Sequence, residues 1–291
     1  MGFRAALTTL SYKLKSIVGT KELQFHAKKL NELMAEDYIR THLYQNPRYQ
    51  DPKKLNQYEF QAFSQSGEDG IVEEIFKRIG VTNRYFVEFG AANGLWNNTA
   101  YLLMQGWQGL WIEGDARGVG VIQQKFAPYI SRNTLAVQQA MITRDNIQQL
   151  FGSGKVPKEL DLLSIDIDGN DYWVWEAISD YTPRVVVIEY NPVFRPPVSW
   201  VMRYNPTHVW GGTSYYGASI TALEKLGTAK GYCLVGCDFL GSNAFFVRSD
   251  LVKDKFAEPY TAENHFEPPR YFLLKDSGHP RDIGDFGQIE E

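Results

Sequence analysis

YFVEFGAANG, Tyr85 to Gly94, is the stretch on which the architecture turns. Five residues of strand-forming character run into a turn bracketed by Gly90 and Gly94, and a helical segment follows. Glycine at such a turn lets the backbone bend sharply and a ligand approach closely, while Asn97 or Asn98 is placed to cap the helix. The spacing is E-x-G-x-x-x-G. A dinucleotide site would show G-x-G-x-x-G, because a pyrophosphate has to rest on the helix N-terminus. Without the middle glycine, a cofactor lacking a pyrophosphate fits better. Its candidate contacts here are Glu88, Gly90, Ala91, Asn93, Gly94 and Thr99.

Outward from this turn the chain alternates. Apolar runs at YFVEF, GLWIE, TLAVQQA, DLLSIDI and RVVVIEY are each separated by enough residues for a helix. Runs of this length suit strands covered on both faces, and the alternation predicts an α/β, Rossmann-like, doubly wound parallel sheet. Upstream, Ser66 and Asp69 have capping-box spacing, and Ile71, Val72, Ile75, Phe76 and Ile79 share one helical face that stops at Gly80. Downstream, GYCLVGCDF, LGSN and AFFVRSD read as a hairpin. Cys233 and Cys237 would stand about 13 Å apart along that strand, beyond disulfide reach, and are read as core thiols.

Three parts follow: a helical arm over 1–57, a catalytic domain over 58–250 with an insertion at 192–216, and an extension over 251–291. The arm holds ten Lys or Arg against five Asp or Glu, so it is near +5 and the rest near −9. Leu30, Leu33, Met34 and Tyr38 recur there at helical spacing, for packing on the body or between subunits of a homo-oligomer. A net charge of −4 sets nucleic-acid partners aside. No run approaches the ~20 apolar residues of a membrane span, so no stable membrane insertion is expected and a cytoplasmic location is.

In an open parallel sheet, ligands bind beyond the carboxyl ends of the strands. The second strand ends at Glu113, where a carboxylate can accept hydrogen bonds from both hydroxyls of a ribose; Asp115 is the alternative for that role, or else a helix cap. The third strand ends near Gln139 and Ala140, where an adenine would rest. Asp166 and Asp168 end the fourth strand, and Glu189 and Asn191 the fifth. Asp166, Glu189 and Asn191 could hold Mg2+ or another divalent cation. The competing reading has Asp168 capping the helix that starts near Tyr172 while Asp166 touches the cofactor.

Taken in order, SQSGEDG (64–70), FVEFGAANG with NNTAYLLMQGWQGLWIEGD, DLLSIDIDGNDYW, VVVIEYNP, GASITALEKLGTAKGY and SNAFFVR resemble the FkbM-type methyltransferases. Enzymes of that family use S-adenosyl-L-methionine on hydroxyls of sugars, polysaccharides and natural products. The resemblance covers most of 60–250. It implies a seven-stranded, mostly parallel class I methyltransferase sheet with the hairpin as its antiparallel edge, and it makes Gln65 a contact to the methionine end of the cofactor. Similarity to catechol O-methyltransferases is partial: Asp166 matches, but Tyr190 separates Glu189 from Asn191. The implied activity is O-methylation of a small-molecule or carbohydrate acceptor. A general base would be needed without a metal, and His208 in the aromatic insertion is the candidate, with Asp168 beside the chemistry. Phe194, Trp200, Tyr204, Trp210, Tyr215 and Tyr216 are read as the acceptor wall or lid. Two rivals remain: a metal-dependent sugar-nucleotide glycosyltransferase using Asp166 and Asp168, and a non-catalytic nucleotide-binding scaffold.

Overall fold

In a computed structural model, residues 20, 22–274 and 281–283 are described. Seven strands, β1 (Tyr85–Phe89), β2 (Gln108–Glu113), β3 (Leu135–Gln139), β4 (Leu162–Ile165), β5 (Val185–Glu189), β6 (Tyr232–Cys237) and β7 (Asn243–Arg248), make one sheet in the order β3-β2-β1-β4-β5-β7-β6. The first five strands are parallel, and β7 runs antiparallel to both β5 and β6. This is the class I methyltransferase order, with the 232–248 hairpin as its reversed edge.

Helix α1 spans 22–38. It is followed by α2 (Glu68–Ile79), α3 (Ala100–Met104), α4 (Ala116–Lys125), α5 (Ala127–Ser131), α6 (Ile147–Ser153), α7 (Asp171–Ala177), α8 (Ile220–Ala229), α9 (Ser249–Val252) and α10 (Ala262–His265). Both sheet faces are covered, which is why the strands read as unbroken apolar runs. On one face Val87, Phe89, Ile165 and Ile188 pack with Phe151, Trp175 and Leu223. On the other, Phe86, Trp111, Leu162 and Val187 pack with Ile75 and Phe126. Each such side chain contributes about 1.5–3 kcal/mol by leaving water.

The α2 face is buried as its periodicity predicts. Its N-terminus is built differently from a capping box. Gly67 is the N-cap, and Asp69 Oδ2 instead accepts the N–H groups of Ala62, Phe63 and Ser64 and the Ser64 hydroxyl, at 2.7–2.8 Å. One carboxylate thereby fixes the segment leading into the helix.

The apolar stripe of the arm turns outward. Leu30, Leu33 and Met34 are exposed, and the arm meets the body through Ala35, Leu43 and Tyr49, which pack on Phe239, Leu240 and Leu273. Glu267 locks this junction: it accepts from Tyr49 Oη at 2.7 Å and pairs with Arg270 at 2.8 Å, while its backbone oxygen accepts from Tyr190 Oη at 2.6 Å. Among the described residues no helix is long and apolar enough to cross a membrane.

Candidate active site

The cofactor half forms where β1 leaves the sheet. Gly90 has φ +67° and donates to Ile112 O at 3.0 Å, and a Cβ there would stand 1.7 Å from the carbonyl oxygen of Asp166. Asn93 Oδ1 accepts Leu95 N–H at 3.0 Å inside the turn, and Asn97 Oδ1 accepts the first N–H of α3, from Ala100, at 3.0 Å. Glu113, at the end of β2, faces this turn. Its Oε2 accepts Ala92 N–H and its Oε1 accepts Asp115 N–H, both at 2.7 Å. An ionised carboxylate has about four acceptor sites, so two remain for ribose hydroxyls. Asp115 takes the other of its two expected roles, capping α4 through Gly118 N–H at 3.1 Å. Ala140 is tied to the same place by its N–H to Glu113 O, at 3.0 Å.

Three expected cofactor contacts are spent elsewhere. Glu88 is buried under the turn, its Oε1 accepting from Asn98 N (2.8 Å) and Ser164 Oγ (3.2 Å) and its Oε2 from Thr99 Oγ1. Thr99 is fully buried and also receives Trp111 Nε1–H at 2.7 Å, so neither side chain reaches a ligand. Ala91 points its methyl into the core. Gln65, by contrast, keeps its side chain exposed, while its backbone oxygen accepts from Gln61 Nε2 at 2.7 Å. Periodicity could not separate a strand-end acid facing a ligand from one facing the next helix. Met141, a half-exposed thioether, lies against Gly114 beside the Ala140 end of β3.

Burial pushes the Glu88 carboxyl from the ordinary 4.5 up to about 7, against the pull of its donors. Between those values the folded protein binds a proton that the unfolded chain has lost, so stability falls as pH rises through this window. Glutamine reproduces the protonated acid, accepting through one atom and donating to Thr99 through the other. Glu88→Gln is therefore expected to flatten the melting-temperature profile between pH 4.5 and 7 and to exceed the wild type at pH 8, by on the order of 3 kcal/mol. A profile that keeps its slope would assign the loss to another group.

The chemical half lies across β4 and β5. Asp166, Asp168 and Glu189 each bring one carboxylate oxygen within 4.8 Å of the other two. Burial and the neighbouring negative charges hold Asp166 and Glu189 well above the usual carboxylate range. Glu189 Oε2 is buried without a hydrogen-bond partner among the described residues. An orphaned oxygen among like charges is the arrangement a hard cation relieves, so the donor set fits a divalent ion.

Asn191 is not part of this set. Its Nδ2 donates to Ser214 O and Tyr216 O at 2.9 and 3.0 Å, and its Oδ1 accepts Val193 N–H at 3.2 Å, so the amide folds the insertion instead. Asp168 takes its place, and it does not cap α7. Asn170 holds the cap position, and Asp171 shapes the loop by accepting Ile167 N–H at 2.9 Å and Gly169 N–H at 2.8 Å. Asp168 itself has φ +53°, a conformation that aspartate tolerates better than most residues.

His208 is brought to the same place. Asn170 grips Asn205 through Nδ2 to its carbonyl (2.7 Å) and Oδ1 from its N–H (3.2 Å), and Asn205 O accepts His208 N–H at 3.0 Å. The ring lies against Gly169, where a Cβ would stand 2.4 Å from His208 Cδ2. Burial raises Asp168 and the neighbouring His208 draws it down. His208 Nε2 is buried and unpartnered among the described residues. Tyr216 is also close: burial, Tyr271 and the charge of Glu189 all push its hydroxyl up, and Tyr271 Oη lies 3.5 Å away. Phe194 stacks on Trp200 at 4.3 Å, while Trp210 and Tyr215 are about half exposed at the rim.

A strap from the extension crosses the cofactor side. Arg281 lies over the Trp96 ring at 3.6 Å, and its Nη1 reaches the carbonyls of Phe63, Ser64 and Leu95 at 2.5, 2.9 and 3.2 Å. Ile283 is buried in the core, and Asp282 pairs with Lys125 at 2.8 Å. Arg281→Ala is expected to destabilise by about 2 kcal/mol in urea denaturation and to loosen the turn after Gly94. An unchanged midpoint would show that the strap is not holding it.

No family model and no curated protein matches the chain. Solved structures of similar fold include the pyocyanin biosynthetic protein PhzM (13% identity, TM-score 0.38, 61% of this chain and 54% of that one). Others are the O-methyltransferase from Bacillus cereus in complex with SAH (11%, 0.35, 56% and 74%) and the CurJ carbon methyltransferase (11%, 0.44, 80% and 71%). The chain thus spans about half the length of PhzM.

Proposed function

We propose that the chain is an S-adenosyl-L-methionine-dependent methyltransferase acting on a hydroxyl of a sugar, polysaccharide or glycosylated natural product. The carrying observation is Glu113, its carboxylate fixed by two backbone N–H groups above the turn that begins at Gly90. That is a ribose-binding acid in a sheet whose turn does not suit a pyrophosphate. The sulfonium cofactor, when bound, supplies an electrophilic methyl carbon. Transfer is an in-line displacement in which the acceptor oxygen forms the new bond, the carbon–sulfur bond breaks, and the hydroxyl proton must leave. His208 Nε2, unpartnered beside Asp168, accepts that proton. A divalent ion such as Mg2+ would be held by Asp166, Asp168 and Glu189 and would supply charge to acidify and orient the hydroxyl. Trp210 and Tyr215 offer aromatic faces for a sugar ring. Positioning accounts for much of the acceleration.

The test is incubation with labelled S-adenosylmethionine and a panel of sugars and glycosylated products, with and without EDTA. Calorimetry runs beside it with the same cofactor and with UDP-sugars. Label in an ether methyl supports the reading. Binding of a UDP-sugar without binding of S-adenosylmethionine overturns it, and transfer that survives EDTA removes the ion.

A further inference from the structure

Where the arm meets the segment before α2, the chain encloses a cavity of about 350 Å3. That is within the roughly 300–1,000 Å3 of small-molecule sites. Its walls are mostly apolar, with Ile39, Phe60, Phe239, Leu240 and Leu273 prominent. Its polar lining includes Glu36, Arg40, Glu59, Gln61 and Ser66. Glu59 Oε1 accepts from Phe239 N at 2.8 Å and Asn56 Nδ2 at 3.2 Å. Glu59 Oε2 accepts no hydrogen bond among the described residues and lies against Gly67, where a Cβ would stand 2.4 Å from it.

Two more acids stand behind Glu59. Glu68 Oε2 accepts from Ser66 N (2.8 Å) and Oγ (3.2 Å), and its Oε1 from Asn243 Nδ2 (3.0 Å). Asp238 accepts from Ser242 N, Asn243 N and Ser66 Oγ at 2.9, 2.7 and 3.3 Å. None of Glu59, Glu68 and Asp238 has a basic partner among the described residues. Arg40, at the rim, is paired with Asp37 at 2.9 Å. Burial and the charges of Asp238 and Glu68 push Glu59 upward, as expected of an acid with no counter-cation.

We infer that this cavity binds a small organic cation, an apolar body carrying a protonated amine that places its ammonium on Glu59. A metal ion is poorly suited, because it would need oxygen ligands around it where the walls are hydrocarbon and aromatic. An amine with an apolar body matches both the apolar walls and the carboxylate of Glu59. The site stands independently of the methyl-transfer reading.

Full-length protein is titrated by calorimetry with phenethylamine, with its neutral isostere 2-phenylethanol and with the anion 3-phenylpropionate. Saturable binding of the amine is expected, about tenfold or more tighter than the alcohol, with none of the anion. Glu59→Gln keeps an acceptor for Phe239 N–H and should weaken the amine about tenfold and erase its preference over the alcohol. Ile39→Trp fills the cavity from the arm and should remove the binding of both amine and alcohol, which keeps the test alive if the Glu59 variant does not fold. S-adenosylhomocysteine affinity is measured in parallel and should be unchanged in both. Equal binding of amine and alcohol by the wild type, or amine binding that survives both substitutions, overturns the proposal.

Discussion

Glu189→Gln is expected to cost about a thousandfold in methyl transfer while making the protein more stable. The two effects have one origin. Glu189 sits beside Asp166, Asp168 and Asp171, and its Oε2 has no hydrogen-bond partner among the described residues. Acids held this close repel, and the fold carries that repulsion as a cost. Glutamine keeps the shape, removes one charge and should return about 1–3 kcal/mol, read as a higher midpoint in urea. The same change takes away a hard oxygen ligand and part of the charge that would hold a cation, and losing such assistance is worth several kcal/mol of barrier. Mg2+ should therefore raise the wild-type melting temperature and leave that of Glu189→Gln nearly unchanged. If the variant is less stable than the wild type, Glu189 has a stabilising partner and the cluster is not a cation site. If it transfers methyl groups normally, the acids are not part of the chemistry.

Asn191→Asp separates the ligand sets anticipated from sequence and found in the structure. The sequence shows acids and an amide at two strand ends, but not which way each side chain points. Asn191 and Glu189 lie two residues apart across Tyr190, yet one amide closes the insertion while the other carboxylate faces β4. Asp168 enters the cluster because Asp171 ties down the intervening loop, a tertiary detail invisible in D-I-D-G-N-D. The sheet was legible because its signal is local and repeated: five apolar runs, each ending in polar or glycine residues. The reversed hairpin followed from the turn at 240–243. Glu113 was legible because topology alone carries it to the β1 turn. Glu88 and Thr99 were misread because an acid after a strand looks the same whether it meets a ligand or supports the loop from beneath. Arg281 and Tyr271 lie beyond every patterned block, and only packing brings them to the site.

Gly90→Ala is expected to remove cofactor binding and to destabilise the fold by about 2–5 kcal/mol. The added methyl would stand 1.7 Å from Asp166 O, and the backbone has φ +67°. The left-handed conformation costs an alanine about 1–2 kcal/mol, and the overlap adds about 1–3 more once neighbours shift. Neither side can yield freely. Gly90 N–H is bonded to Ile112 O of β2, and the Asp166 carbonyl belongs to the end of β4. Parting them separates β1 from β4 and moves Asp166, so the cofactor turn and the acid cluster are lost together. Gly120, on the open face of α4, is the matched control. Nothing lies within 4 Å of the position its Cβ would take. Gly120→Ala should stabilise by up to about 1 kcal/mol, because alanine loses less backbone freedom in a helix. The same substitution then has opposite signs at two glycines thirty residues apart, and urea denaturation with S-adenosylhomocysteine calorimetry reads both. Should Gly90→Ala bind the cofactor as the wild type does, the turn is not where the cofactor rests, and Glu113 faces some other ligand.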